Sequence, residues 1–191
     1  YGEGEWKVRQ HGWSVRRTWR KLHLGVNEAT GEIVAQTLTE NSVDDAAQVA
    51  PLLRHIDAEV ARLGGDGSYD KHKVFKALAD PPHQGPIEPI IALRNDAKIQ
   101  QHGNCKAPPQ TRDEILRAIR HKGRTGWKQQ RGYHRRSLAE TQMFRYKRII
   151  GDKLRARRLA NQKVESRLGC AILNRMTHLG KPDSYKVEKG N

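Results

Sequence analysis

Leu22, Leu24 and Val26 alternate with Lys21, His23 and Gly25, a period of two that restricts the local fold more tightly than any other stretch of this chain. Successive side chains of a strand point to opposite faces, so Trp19 to Val26 is expected to form a half-buried strand. Ile33 to Leu38 is a second candidate strand, and Asn27-Glu-Ala-Thr-Gly31 between them has turn chemistry. The two are predicted to pair as an antiparallel hairpin with a short loop.

Ser42, three residues ahead of Asp45, is expected to cap a helix running to about Arg62. Val49, Leu52, Leu53, Ile56 and Val60 would share one face of it, and Pro51 would kink or split it. Gly64-Gly-Asp-Gly-Ser-Tyr-Asp70 predicts a tight turn, followed by a short helix from Lys71 to Ala79 and an apolar strand from Ile87 to Leu93. Residues 94–110 are polar and contain Gly, Asn and two prolines, the composition of a long loop or insertion. A helix from about Arg112 to His121 is expected next, then another from Ser137 onward, interrupted at Gly151 and resuming to about His178. Mixed strands and helices followed by a helical end predict the α/β class.

At 191 residues the chain suits one domain with one modest core, assigned here to residues 1–184 with a polar tail at 185–191. Its formal charge of +15 implies self-repulsion unless a polyanion neutralises it, so nucleic acid is the leading partner. No apolar run suits a membrane span, so no membrane partner is expected. Cys105 and Cys170 lack zinc-site spacing and read as free cytosolic thiols. The chain opens at Tyr1 rather than Met, inside a patterned stretch, and is expected to be truncated at its N-terminus.

Phosphodiester chemistry on DNA needs a charge clamp on both the attacking and the leaving oxygen, which two Mg²⁺ ions about 3.5–4 Å apart can provide. Mg²⁺ keeps several waters and takes few protein carboxylates, so the search is for acids in basic surroundings. Asp66 stands between glycines that leave room for a metal and a phosphate, although a plain turn aspartate explains it as well. Asp70 is its neighbour and is expected to cap the next helix. Glu140 lies in the cation-dense segment Tyr133 to Lys147 and shares a helix face with Lys147, about 20° away. Ser137-x-x-Glu140 is also a capping box, so capping and catalysis both remain open for Glu140. In either arrangement Arg136 can grip a phosphate, while Tyr133 stacks or donates a hydrogen bond.

The spacing of Tyr133, Arg136, Glu140 and Lys147 matches the Tyr-Arg-Glu-Lys motif of DDE transposases from bacterial insertion sequences. Gly65-Asp-Gly-Ser-Tyr-Asp70 resembles the turn that carries the second catalytic Asp of that family. Trp19-Arg-Lys-Leu-His-Leu24, Gly132-Tyr-His-Arg-Arg-Ser137 and Asn174-Arg-Met look like the insertion sequence five group in particular. The resemblance covers nearly the whole chain and implies a ribonuclease H-like mixed sheet flanked by helices, with a helical C-terminal part. It also implies two Mg²⁺ ions, nicking at transposon ends and strand transfer by the freed 3′-hydroxyl. By position, Asp66 and Glu140 would be the catalytic metal ligands, and Tyr133, Arg136 and Lys147 would handle DNA. A homodimer across paired ends in the bacterial cytoplasm, at the nucleoid, is a further implication. The family's first catalytic Asp, on its first strand, belongs upstream of the segment resembling Tyr1 to His11. Asp44 and Asp45 are better explained as capping residues. A non-catalytic DNA-binding remnant of a degenerate transposon is therefore the alternative.

Other cations fit DNA contact. Arg16, Arg17 and Arg20, with Lys21 and the interleaved Trp13 and Trp19, could track a backbone, although a solvated strand edge has the same composition. Arg135 adds to the Arg136 cluster, and Arg145 to Arg158 is dense in Lys and Arg. The histidines lack metal-ligand spacing, and His23 is expected to be a packed or surface residue.

Overall fold

The alternating segment forms the expected hairpin: β1 (Arg20–Val26) and β2 (Ile33–Glu40) pair antiparallel, with Leu22 opposite Leu38 and Leu24 opposite Gln36. Asn27 closes its turn, the side-chain oxygen accepting from the amides of Ala29 at 2.8 Å and Thr30 at 3.3 Å. The structure, a computed structural model, describes residues 19–82, 84–101, 106 and 108–180. The expected tail, Cys105 and the Arg16–Arg17 cluster with Trp13 lie outside the described residues.

Both faces of the hairpin are covered, where the alternation predicted one. Leu22, Leu24, Val26 and Ile33 pack against Tyr146, Ile150, Cys170 and Leu173 near the C-terminal end. On the other face Lys21 Nζ donates to the Val43 carbonyl at 2.9 Å, and His23 is 8% exposed. His23 Nε2 lies 2.8 Å from Thr39 Oγ1, and Nδ1 lies 3.7 Å from Asp45. Burial holds the His23 pKa below its ordinary value, with Asp45 opposing and Lys21 reinforcing the shift.

The helix expected from Asp45 to Arg62 is much shorter. A 3₁₀ turn, Asp45–Gln48, leads into α1 (Val49–Leu53), and the N-terminal residue Asp44 makes no side-chain cap. Ser42 does not cap it either; Asp44 instead binds Lys71 Nζ at 2.7 Å and Lys73, which together hold its carboxyl far below the usual range. Ile56 and Val60 still pack on the core, but from non-helical backbone. The Gln84 amide imitates a strand neighbour there, accepting from Val60 N at 2.8 Å and donating to Val60 O at 2.9 Å. This tertiary pairing overrides the helical spacing and delivers the chain extended into β3 (Arg62–Gly65).

β3 pairs in parallel with β4 (Glu88–Ile91), Gly64 opposite Ile90 and Gly65 opposite Ile91. A 3₁₀ turn, Gly67–Tyr69, and α2 (His72–Ala79) make the crossover that a parallel pair requires. α3 (Thr111–Lys122) and α4 (Arg124–Gln130) follow, the second unanticipated, and Trp127 of α4 is 1% exposed. A 3₁₀ turn, Tyr133–Arg136, runs directly into α5 (Ser137–Arg145) and a π-turn, Tyr146–Ile150. The break falls at Gly151, as expected, and α6 (Leu159–Leu179) ends the described fold.

The fold is mixed α/β with small sheets and a helical C-terminal part, consistent with a ribonuclease H-like mixed sheet plus helices. Two apolar clusters replace the single core expected. The larger joins β4 to α1 through α4 and includes Val74, Leu78, Ile91, Leu93, Leu116 and Trp127; the smaller joins the hairpin to α6. A chain that is 36% hydrophobic has too little apolar surface for one large core, and the doubly covered hairpin separates the two. No helix among the described residues is long and apolar enough to cross a membrane.

Candidate active site

Asp66 lies at the carboxyl end of β3, in extended backbone that starts the Gly67–Tyr69 turn. Its Oδ1 accepts from Ser68 N at 2.8 Å and from Ser68 Oγ at 2.5 Å. The turn reading of Asp66 is therefore correct as far as it goes, and Oδ2 has no protein partner among the described residues. The flanking glycines serve packing: a Cβ at Gly65 would stand 3.2 Å from the Tyr69 ring, and one at Gly67 would stand 3.3 Å from the Ala92 carbonyl. The Tyr69 hydroxyl is pushed up by burial first, then by the charges of Asp45, Asp66 and Asp44.

Asp70 does not cap α2, whose N-terminal flanking residue is Lys71. Its side chain is 2% exposed and takes a bidentate grip from Arg112, Nε at 2.7 Å and Nη2 at 3.1 Å. Arg112 Nη1 also reaches the Lys98 carbonyl at 3.0 Å and Asp113 at 3.4 Å. Asp113 is fully buried and accepts the amides of Gln100 at 2.9 Å and Gln101 at 2.6 Å. Burial alone would raise its pKa; the two amides and Arg112 outweigh it and leave the carboxyl below its ordinary value. Arg94 completes the frame by donating to the Gly67 carbonyl at 3.3 Å and, through its amide, to Asp70 at 3.4 Å. Residues 94–101 are thus stitched to the Asp66 turn. Nothing in the local pattern marks Arg112, Asp113 or Arg94, because their partners are remote in sequence.

Glu140 lies on α5 and does not close the capping box. Ser137 is the first residue of α5, no side chain caps that helix, and Glu140 pairs with Arg136 one turn back. The preceding 3₁₀ turn places Arg136 against β3: a Cβ at Gly64 would lie 3.6 Å from the Arg136 Cβ. Gly64 and Asp66 alternate onto the same side of the extended chain, so Arg136 links the neighbourhood of one acid to the other. The Arg136 guanidinium lies 5.1 Å above the Tyr133 ring, with Lys128 Nζ 5.0 Å from that ring. Tyr133 is 6% exposed and packs on Trp127 at 6.2 Å, so its ring faces are occupied within the protein, which disfavours the stacking half of the expectation that it stacks or donates a hydrogen bond.

Arg135 donates to the Glu28 carbonyl at 2.7 Å, and Arg62 binds the same Glu28 through its carboxylate. Arg20 Nε donates to Gln162 at 3.0 Å, which ties the hairpin to α6, while its Nη1 stands 3.8 Å from Glu40. Arg145 turns inward to Gln142 and Thr177. Lys147, Lys153, Arg157 and Arg158 are exposed and make no ion pair among the described residues.

No group of three or more His, Cys, Asp or Glu among the described residues is placed to hold a metal. Asp66 and Glu140 nonetheless fit a hard divalent cation by donor chemistry: both are exposed carboxylates, among the described residues Glu140 held only by Arg136 and Asp66 only by Ser68, and Mg²⁺ needs only one or two such ligands with water completing its shell. No solved structure matches this chain. The model of the transposase DDE domain family matches residues 1–175, a span that includes both motif segments. With that match covering most of its length, the chain belongs to the transposase DDE domain family.

Proposed function

We propose that this domain cuts and joins insertion-sequence DNA, with Asp66 and Glu140 as the metal-binding acids of its site. The observation that carries the reading is Arg136, seated against Gly64 of β3 and paired with Glu140 of α5. It touches both the strand that leads into Asp66 and the helix that carries Glu140, segments more than 60 residues apart in a strongly basic chain. When bound, Mg²⁺ ions would supply the charge clamp on the attacking and leaving oxygens. Asp66 would offer its free Oδ2, and Glu140 would exchange its arginine partner for the cation. Arg136, released in that exchange, would bind a phosphate oxygen, with Lys147 and Arg135 extending the positive surface. Tyr133 would act from beneath, its ring face holding the guanidinium in place. The insertion sequence five group and a dimer spanning two transposon ends belong to this same reading.

The test is made on the intact protein with DNA bearing its transposon ends. Asp66→Asn and Glu140→Gln are each expected to abolish Mg²⁺-dependent cleavage and strand transfer while leaving DNA affinity within about threefold, since neither acid is a phosphate contact. Full strand-transfer activity in Glu140→Gln would show the assignment wrong.

A further inference from the structure

Gly169 occupies the middle of α6, where glycine is a poor choice because it frees the unfolded backbone and packs nothing. Its surroundings supply the reason. A Cβ at this position would stand 2.8 Å from Tyr146 Cε2, 2.9 Å from Tyr146 Oη and 3.0 Å from Ile150 Cγ2. The absent methyl is a notch in the helix, and the Tyr146 ring, 6% exposed, fills it. Burial pushes the Tyr146 hydroxyl up to about 12 and the neighbouring Cys170 thiol up to about 11, so the contact stays uncharged near neutral pH.

Tyr146 and Ile150 are the two ends of the π-turn, which the Gly151 amide closes on the Tyr146 carbonyl at 3.1 Å. A π-turn is rare and is favoured over ordinary helix only where contacts elsewhere select it. Here both of its ends bear on the Gly169 notch. Lys147, the residue after Tyr146, is exposed and makes no ion pair among the described residues. Its direction therefore comes from the backbone of the turn, not from a side-chain partner.

We propose that Gly169 and Tyr146 are positioning residues: the ring seated in the Gly169 notch fixes the π-turn and thereby aims the Lys147 ammonium at a DNA phosphate beside Glu140. This rests on the reading of Lys147 as a DNA-handling cation. A purely structural role for the notch would affect stability without changing the number of phosphates held.

The experiment uses this chain and a fluorescent DNA duplex of arbitrary sequence, with Kd followed across a salt series. Lys147→Ala is expected to lower the slope of log K against log salt by about one, the signature of one lost phosphate contact. Gly169→Ala and Tyr146→Leu should lower it by the same amount, whereas Tyr146→Phe, which keeps the ring in its seat, should retain the original slope. Combining Gly169→Ala with Lys147→Ala should lose no more than Lys147→Ala alone. Circular dichroism establishes that each variant is folded, and if Gly169→Ala is not, Tyr146→Leu decides on the same criteria. An unchanged slope in Lys147→Ala would remove the Lys147 reading and the proposal with it. A lowered slope in Lys147→Ala beside unchanged slopes in Gly169→Ala and Tyr146→Leu would overturn the positioning role alone, as would additive losses in the double variant.

Discussion

Around Asp66 the supporting charges are buried: Asp113 is fully so, the Asp70 side chain is 2% exposed, and Arg112 at 12% lies between them. Around Glu140 they are at the surface, the Glu140 side chain 65% exposed and Arg136 31%. Burial makes the first set costly to disturb, since removing one partner strands the others in a poorly solvated interior. Exposure makes the second set easy to exchange, because water replaces a lost partner at little cost. The contrast suits the two tasks proposed for these regions, a turn of fixed shape at Asp66 and an arginine–carboxylate pair at Glu140 that would open for a phosphate or a cation.

The largest effect that could break this contrast lies on the buried side. Arg112→Leu leaves Asp70 and Asp113 without their cation and should cost about 3–5 kcal/mol in urea unfolding. A loss under about 1 kcal/mol would show that the Asp66 turn does not depend on the buried pairing. A smaller effect concerns the hairpin, on which both regions lean. The His23 pKa is lowered in the folded state, so the unfolded chain takes up the proton first as pH falls below about 6.5. Stability should therefore decline from pH 7.5 to pH 5.5 in thermal melts, and His23→Gln should flatten that decline. An equally steep decline in the variant would assign the titration elsewhere. The smallest effect is expected at the exposed pair. Glu140→Gln should change unfolding free energy by less than about 0.5 kcal/mol. A loss of about 2 kcal/mol would place Glu140 in the structural frame and remove the distinction between the two regions.

Segments with strong periodicity were legible in advance. The hairpin, α2, α3 and the break at Gly151 follow from local pattern and turn chemistry, which operate within a few residues. α4 was not legible, because Trp127 is the one large apolar residue among Arg124–Gln130 and a single residue defines no period. The helix expected up to Arg62 ends at Leu53 for the opposite reason. Ile56 and Val60 keep helical spacing, but Gln84 offers the Val60 backbone a better partner from 24 residues away. At the site, Asp66 and Glu140 were visible as motif residues. The pairing of Asp70 with Arg112 was not, because it joins positions 42 apart whose local environments favour a cap and a helix start.

By itself the sequence determined the cation excess, the main strands and helices, and two spaced acidic motifs of the transposase DDE domain family. These are properties of composition and of short segments, and folding leaves them unchanged. Only the tertiary structure decided which carboxylates are committed: Asp70 and Asp113 to Arg112 and backbone amides, Asp44 to two lysines, Asp66 and Glu140 to exposed contacts that leave them within reach of a ligand. A carboxylate's availability depends on its burial and on the charges beside it, and both are set by residues distant in sequence.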